Sequence, residues 1–233
     1  MRALEKNIKG FNLLELIVVL AIIGVVSAAA YPKFSTWKKS RDTRNDALSV
    51  KKLFESINAQ VQRGQFAFVQ MYIDVNTEDV VFTTRGMKTD TLASKINDGD
   101  STWNTTASTR CDMTTADYWD ADGLIDTIIE VQTKTFVKIT TNLTEDSAVC
   151  FSKNPRWFSG AGGLSSGEGN DSVADEILYI CKRTNAVPTC TFGTDGEPTD
   201  PEENMMYSIE WTRFGEVTLD KWSYKLKGWV LQN

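Results

Sequence analysis

Apolar residues form one nearly unbroken block at the start of the chain. From Phe11 to Tyr31 the sequence has 21 residues and a single charge, Glu15. As a helix, this block is long enough to cross a hydrocarbon core of about 30 Å. A carboxylate inside such a segment costs roughly 2.5 kcal/mol or more, so we expect Glu15 to need a partner.

Past the apolar block the pattern becomes amphipathic. Apolar residues recur at three- and four-residue spacing while charged residues fill the other faces, which predicts a helix that packs on a domain. The apolar positions of this stretch are Ala47, Val50, Phe54, Ile57 and Val61. Joined to the apolar block, the helix would run from Phe11 to Arg63, about 80 Å at 1.5 Å per residue, and would end at Gly64.

Two residues weaken the first half of this helix. Gly24 lowers helix propensity, and Pro32 removes a backbone donor and clashes with the preceding turn. We therefore expect either a simple proline kink or a local opening of the helix near Ala28–Pro32.

Beyond Gly64 the pattern changes to short runs that are rich in β-branched and aromatic residues. The predicted strands are Phe66–Ile73, Val80–Thr83, Thr135–Thr140, Ile177–Cys181, Met206–Trp211 and Trp222–Trp229. Polar stretches at 85–122, 155–172 and 193–204 separate some of them. One long helix followed by antiparallel strands predicts an α+β architecture with the sheet against the amphipathic half of the helix.

A short basic leader precedes the apolar block and ends at Gly10. Its charged residues are Arg2, Lys6 and Lys9 against Glu5, a distribution typical of the cytoplasmic side of a membrane segment. A conventional secretory signal would be cleaved after the apolar block instead, where Ser27-Ala28-Ala29-Ala30 offers a small-residue site. The Gly10-Phe11 junction, Glu15 and the continuing helical pattern count against that alternative.

These features together resemble the type IV pilin superfamily, which includes pilus subunits and the pseudopilins of type II secretion. The matching stretch is Lys9-Gly10-Phe11-Asn12-Leu13-Leu14-Glu15-Leu16-Ile17-Val18-Val19-Leu20-Ala21-Ile22-Ile23-Gly24, with Pro32 downstream. The resemblance implies that a prepilin peptidase cuts after Gly10 and methylates the new amine of Phe11. It also implies that Glu15 acts in assembly and that the segment between Gly24 and Pro32 opens in a filament. Asn12 stands where many family members have Thr.

The resemblance implies a leader at 1–10, a transmembrane and filament-core half-helix at 11–34, an amphipathic half-helix at 35–63 and a β-rich head at 64–233. The expected function is a structural subunit, held in the inner membrane and then polymerised into a periplasmic or extracellular type IV pilus. Its expected partners are other pilin subunits, the peptidase, the assembly platform protein and its ATPase. The alternatives are a type II secretion pseudopilin and, in a different class, a secreted or membrane-anchored binding protein with a conventional signal.

The four cysteines are interpreted through the compartment that the resemblance implies, since disulfides persist outside the inner membrane. Four cysteines allow three connectivities. Cys181 and Cys190 flank what resembles a hairpin tip, so they are the easier pair to join. We therefore expect a second bridge between Cys111 and Cys150.

Two further motifs and the net charge bear on chemistry. Asp120, Asp122 and Asp126 surround Gly123 at a spacing like part of a calcium loop, but the closing position is out of register, and a solvated acidic turn is the alternative. Gly163-Leu164-Ser165-Ser166-Gly167 fits the nucleophile-elbow pattern, yet the chain has no histidine to act as its base. A net charge of −6 argues against general nucleic-acid binding. The sequence thus predicts a protein that is not an enzyme and has no cofactor unless calcium binds.

Overall fold

The computed structural model describes residues 12–97, 111, 132–152, 159–161, 177–184, 189–193, 196–199, 205–212 and 216–232. These residues contain the helices α1 Leu13–Gln62 and α2 Thr89–Asn97. Their strands are β1 Phe68–Val75, β2 Val80–Met87, β3 Gln132–Phe136, β4 Ile139–Thr141, β5 Ser147–Ser152, β6 Ser159–Ala161, β7 Ile177–Lys182, β8 Met206–Trp211, β9 Val217–Ser223 and β10 Gly228–Leu231. A long helix followed by antiparallel strands confirms the predicted α+β class.

The chain divides into two compact units, residues 1–42 and 43–233, and the boundary falls inside α1. The first unit contains the apolar half of α1. The second contains the amphipathic half from Thr43 onward, together with every strand of the described residues.

The strands form two antiparallel sheets of five strands each. The first has the order β3-β2-β1-β5-β6, and the second has the order β10-β9-β8-β7-β4. Each contains hairpins of strands that are neighbours in sequence, such as β1 with β2 and β8 with β9. The sequence pattern had predicted a sheet against the helix without revealing that there are two.

One apolar core joins the amphipathic half of α1 to both sheets. The five predicted apolar positions of this half are all buried, with 3% exposure at most. They share the core with residues of each sheet, among them Val69 and Met71 from β1 and Tyr207 and Ile209 from β8. Alternate residues of each strand point to opposite faces of its sheet. One face of each sheet packs on the helix, and the opposite face carries a separate, smaller apolar cluster.

The second half of α1 ends in a glycine-capped turn. Gly64 has a φ of 74°, its N–H donates to the Val61 carbonyl at 2.9 Å, and the Gln65 N–H donates to the Gln60 carbonyl at 3.1 Å. These two bonds satisfy carbonyls that the helix itself leaves without partners. Glycine adopts this left-handed φ without a steric penalty, which is why the sequence located the stop within two residues.

Two of the predicted strands are wrong in detail. The run Thr135–Thr140 is split between β3 of the first sheet and β4 of the second, and the connecting Val137 is exposed. The run Trp222–Trp229 contains a turn, in which the Leu226 N–H donates to the Ser223 carbonyl. Lys227 adopts a φ of 48° in that turn; the residue with positive φ is thus not the neighbouring Gly228, which is the turn residue in the sequence.

Three elements, β5, β6 and α2, were missed. β6 lies inside the stretch 155–172, which the sequence predicts to be a polar connection. β5 is buried on both faces along most of its length, so it lacks the alternation that marks a half-buried strand. α2 lies inside the stretch 85–122, which the sequence predicts to be a polar connection, and its Leu92 packs against the outer cluster of the first sheet.

Candidate functional site

The first turn of α1 is capped by Asn12. The Leu14 N–H donates to the Asn12 side-chain oxygen at 3.3 Å, and the Leu16 N–H donates to the Asn12 carbonyl at 3.2 Å. Asparagine and threonine both cap helices through a side-chain oxygen, so the departure from the threonine of many pilins keeps the capping function. The sequence signal for this cap was the spacing Asn12-x-x-Glu15, which resembles a capping box.

Glu15 lies in the first turn of α1 and its side chain is exposed. The N-terminal end of a helix carries a partial positive charge, so a carboxylate at this position is stabilised locally by typically about 0.3–1 kcal/mol. That local effect is smaller than the cost of holding a charge in an apolar environment. The helix end alone therefore does not account for Glu15 within a membrane or a filament core.

The apolar half of α1 exposes its side chains on every side. Each large aliphatic residue from Leu13 to Val26 is between 45% and 74% exposed; these residues are Leu13, Leu14, Leu16, Ile17, Val18, Val19, Leu20, Ile22, Ile23, Val25 and Val26. A soluble helix typically buries one apolar stripe and keeps a polar face. Exposed apolar surface of this extent marks a site of interaction with other apolar material.

Among the residues that the structure describes, no helix meets the length and hydropathy required to cross a membrane.

α1 is unbroken through both of the residues that were expected to weaken it. It extends from Leu13 to Gln62 across Gly24 and Pro32 as one helix. A methyl group added at Gly24 would have no atom within 4 Å apart from its chain neighbours and the backbone of its own helix turns. The single chain therefore does not display the local opening near Ala28–Pro32, and an opening upon assembly stays a prediction.

Aromatic and basic side chains follow the apolar block. Phe34 and Trp37 are exposed, and their ring centroids are 5.8 Å apart. The Arg41 guanidinium carbon lies 5.6 Å from the centroid of the Trp37 ring, within the range of a cation–π contact. Tyr31 is exposed one turn before Phe34. Sequence reasoning missed this group, although its spacing of three and four residues was visible.

Both disulfides lie in the second unit. Cys111 joins Cys150 of β5 with a Cα–Cα distance of 5.8 Å, and Cys181 of β7 joins Cys190 at 5.7 Å. This is the pairing that the sequence predicts. The first bridge lies on the outer face of the first sheet, where Gln70 donates to the Cys111 carbonyl at 2.9 Å. The second lies under an aromatic cluster on the outer face of the second sheet, which includes Trp222 and Trp229.

Among the described residues of the second unit, burial is the largest cause of the raised pKa of three carboxyl groups, Asp74, Glu210 and Asp220. Burial is the main cause that raises the pKa of Asp74, and the nearby Asp146 raises it further. Burial and the neighbouring Asp220 raise the pKa of Glu210 in the same way. Tyr72 donates to Asp146 at 2.6 Å, and burial followed by this hydrogen bond raises the tyrosine pKa.

Several predicted site residues lie outside the described part of the chain. They are Gly10 and Phe11 at the cleavage junction and Asp120, Asp122 and Asp126 of the candidate calcium turn. Within the described residues, no group of three or more His, Cys, Asp or Glu side chains is arranged to hold a metal ion. The calcium turn and the cleavage junction remain predictions.

Comparison with known proteins identifies a sequence motif and a relative. The sequence model of the prokaryotic N-terminal methylation motif matches residues 6–31. The type IV wide pilus major component PilA4 of Thermus thermophilus is 29% identical to this chain over 84 residues. That alignment covers 34% of this chain and 64% of the relative, so the chain spans less than two thirds of the relative's length. No solved structure shows a significant match.

Proposed function

On the premise that the chain belongs to the type IV pilin superfamily, which the methylation motif and the pilin relative support, we propose that it is a structural subunit of a type IV pilus. In this proposal the subunit is held in the inner membrane after synthesis and is then polymerised into a filament. Its apolar half-helix forms the filament core and its β-rich unit forms the outer wall.

The exposure of the apolar half of α1 is the observation that supports this proposal most. At roughly 25 cal/mol per Å² of buried apolar surface, covering these eleven aliphatic side chains is strongly favourable. The second unit already has its own core, which the amphipathic half of α1 completes. The apolar half would therefore be covered by material outside the chain. Before assembly this is lipid, and in the filament it is the same segment of other subunits.

Processing at the Gly10-Phe11 junction is the step that would release this segment for assembly. We propose that a prepilin peptidase cleaves there and methylates the Phe11 amine, in keeping with the match to the methylation motif over residues 6–31. A platform protein and an assembly ATPase would then extract the subunit. These partners follow from the family and from no contact in this structure.

Glu15 would align each incoming subunit. Cleavage gives Phe11 a cationic amine four residues before this carboxylate, and methylation leaves the amine cationic. A charge-assisted contact between Glu15 and the Phe11 amine of a neighbouring subunit is far stronger in an apolar core than in water. The exposure of Glu15 on the first turn of α1 leaves it accessible to such a neighbour.

A pseudopilin of type II secretion is the alternative within the superfamily. The relative named above is a pilus component, which favours the pilus over the secretion apparatus. The same half-helix and the same Glu15 would serve either filament.

The intact mass of the protein purified from membranes tests the proposal. We expect a chain that begins at Phe11 and carries one added methyl group. A full-length control, Gly10→Val, should remain uncleaved because the enlarged side chain blocks the junction. A mature chain that begins near Tyr31 would contradict the proposal and favour a secreted or anchored binding protein with a conventional signal.

A further inference from the structure

The aromatic and basic residues that follow the apolar block have a shared position on α1. Tyr31, Phe34, Trp37 and Arg41 succeed one another at three- and four-residue spacing, so they lie along one face of the helix. Lys38 and Lys39 stand beside them and, like Arg41, are exposed. We call these six residues the collar.

We propose that the collar binds the anionic phosphate headgroups of the outer leaflet of the inner membrane and fixes the depth of the subunit before assembly. This inference rests on the proposed function, since it requires the apolar half of α1 to lie in a bilayer.

The position of the collar along the helix fits the thickness of a membrane. Tyr31 comes 18 residues after Leu13, which is about 27 Å along the axis, and Trp37 lies about 36 Å from the same point. A hydrocarbon core is about 30 Å thick. With the start of α1 at the cytoplasmic boundary, the three aromatic rings reach the opposite boundary, where tyrosine and tryptophan are enriched.

The contacts inside the collar suit an interface between lipid and water. Phe34 and Trp37 place two exposed rings side by side, and Arg41 holds its guanidinium over the indole. A guanidinium in that position keeps donors available for a phosphate, which it binds with two parallel hydrogen bonds. The aromatic rings would lie at the boundary between the hydrocarbon core and the headgroups. The basic side chains would lie in the headgroup region.

Basic residues are concentrated just beyond the apolar block, and the first acidic residue after them is Asp42. Lys38, Lys39 and Arg41 give three positive charges within four positions, and the sequence has no Asp or Glu from Leu16 to Arg41. The leader, with its three basic residues and Glu5, carries only +2. Orientation of a membrane helix is set by an excess of basic residues on the cytoplasmic side, so topology selects against cations at the collar. Binding to phosphate gives a reason for their presence.

Spin-labelled lipids test the collar on the full processed protein, reconstituted into phosphatidylcholine vesicles. The probes are labelled phosphatidylglycerol and labelled phosphatidylcholine. We expect the wild-type protein to prefer phosphatidylglycerol at least about fivefold, the effect of one Lys or Arg near a lipid surface, and to lose this preference in high salt. The variant Lys38→Gln/Lys39→Gln/Arg41→Gln should lose most of this preference, since only Lys33 remains of the basic residues between Tyr31 and Arg41. The control Lys51→Gln/Lys52→Gln, beyond the collar, should behave as wild type.

Three outcomes would overturn the inference, and each has a distinct cause. If wild-type protein integrates into the vesicles but shows equal affinity for both lipids, the collar does not bind anionic headgroups. If the triple variant keeps wild-type lipid preference yet forms fewer filaments, the collar binds a neighbouring subunit instead. A wild-type chain that a salt wash removes from the vesicles would contradict membrane anchoring itself, and with it the proposed function.

Discussion

The two halves of α1 are equally helical but have opposite relations to their surroundings. Leu20 in the first half is 59% exposed, whereas Leu53 in the second half is 4% exposed. The first half is apolar on all sides and the second half has one apolar stripe. A single stripe can be satisfied by the chain's own sheets, but an all-round apolar surface needs partners on every side.

This difference indicates that the residues for folding and the residues for assembly lie in separate parts of α1. The second half contributes to the core of residues 43–233, and the first half belongs to the other compact unit. Substitutions in the second half should therefore act on the stability of the fold. Those in the first half should act on membrane retention and on filament formation.

The same substitution at the two leucines gives the largest expected contrast in stability. Leu53→Ala should lower the free energy of unfolding by about 2–5 kcal/mol, because it leaves a cavity in the shared core. Leu20→Ala should change it by less than about 0.5 kcal/mol, as exposed positions typically do. Denaturant unfolding of the full chain in detergent micelles measures both. Equal losses would show that the two halves of α1 are not separate in their energetics.

The two disulfides of the second unit should also differ in how much each stabilises the fold. Cys111→Ser/Cys150→Ser opens a loop with a sequence separation of 39, against 9 for Cys181→Ser/Cys190→Ser. In the loop-entropy description the first pair should cost about 4 kcal/mol and the second about 2.5 kcal/mol. Thermal unfolding would measure the order of the two losses. Peptide mapping without reductant would reject the pairing if it found the bridges crossed.

Alanine substitutions at two glycines should change stability by smaller amounts and in opposite directions. A methyl group at Gly86 would lie 2.7 Å from the Phe66 ring, so Gly86→Ala should destabilise the fold by about 1–3 kcal/mol. Gly24→Ala meets no neighbour and should raise helix stability by about 0.8–1 kcal/mol. If the helix must open near Gly24 on assembly, the stabilised variant should yield fewer filaments while its unfolding free energy is unimpaired. Wild-type filament yield would contradict the opening.

The smallest expected effect concerns pH and the second unit alone. Partial desolvation and the neighbouring Asp220 raise the pKa of Glu210 above its ordinary value of 4.5, so the folded protein holds this proton more tightly than the unfolded chain. The Glu210 side chain is exposed, so the effect on stability is small. Its contribution to stability is complete below that ordinary value and is lost as pH rises through the raised one. Glu210→Gln should therefore be more stable than wild type at neutral pH, by less than about 0.5 kcal/mol, and equal to it in acid. Unfolding curves at the two pH values test this sign.

The sequence predicted the parts of this molecule whose periodicity is long and regular. Fifty residues of helix, its buried face and its glycine stop could be located because the pattern repeats over many turns. The division of the strands into two sheets could not, because Thr135–Thr140 is one continuous β-prone run with no turn residue at the break. The same limit applies to β5, whose Val149 and Cys150 are buried on opposite faces.

The residues of the candidate site also divide into those that the sequence identified and those that only the structure revealed. Glu15, Gly24 and Pro32 were identified from their departure from an apolar helical pattern. The cap formed by Asn12 and the contact between Trp37 and Arg41 depend on side-chain geometry. Polar and aromatic residues at such spacings also occur on ordinary solvent-facing helices, so only the structure distinguished the two cases.

Filament incorporation of Glu15 variants tests most directly whether the first half of α1 is built for assembly. Each variant is expressed as the only copy, and its membrane level and its amount in sheared filaments are measured together. Glu15→Ala and Glu15→Gln should both reach normal membrane levels and be largely absent from filaments, because neither offers a charge to a neighbour's amine. Glutamine can still form the side-chain hydrogen bond of a capping box. If Glu15→Gln is incorporated into filaments at the wild-type level, the role of Glu15 is limited to capping α1. Incorporation of Glu15→Ala at the wild-type level would contradict its role in assembly.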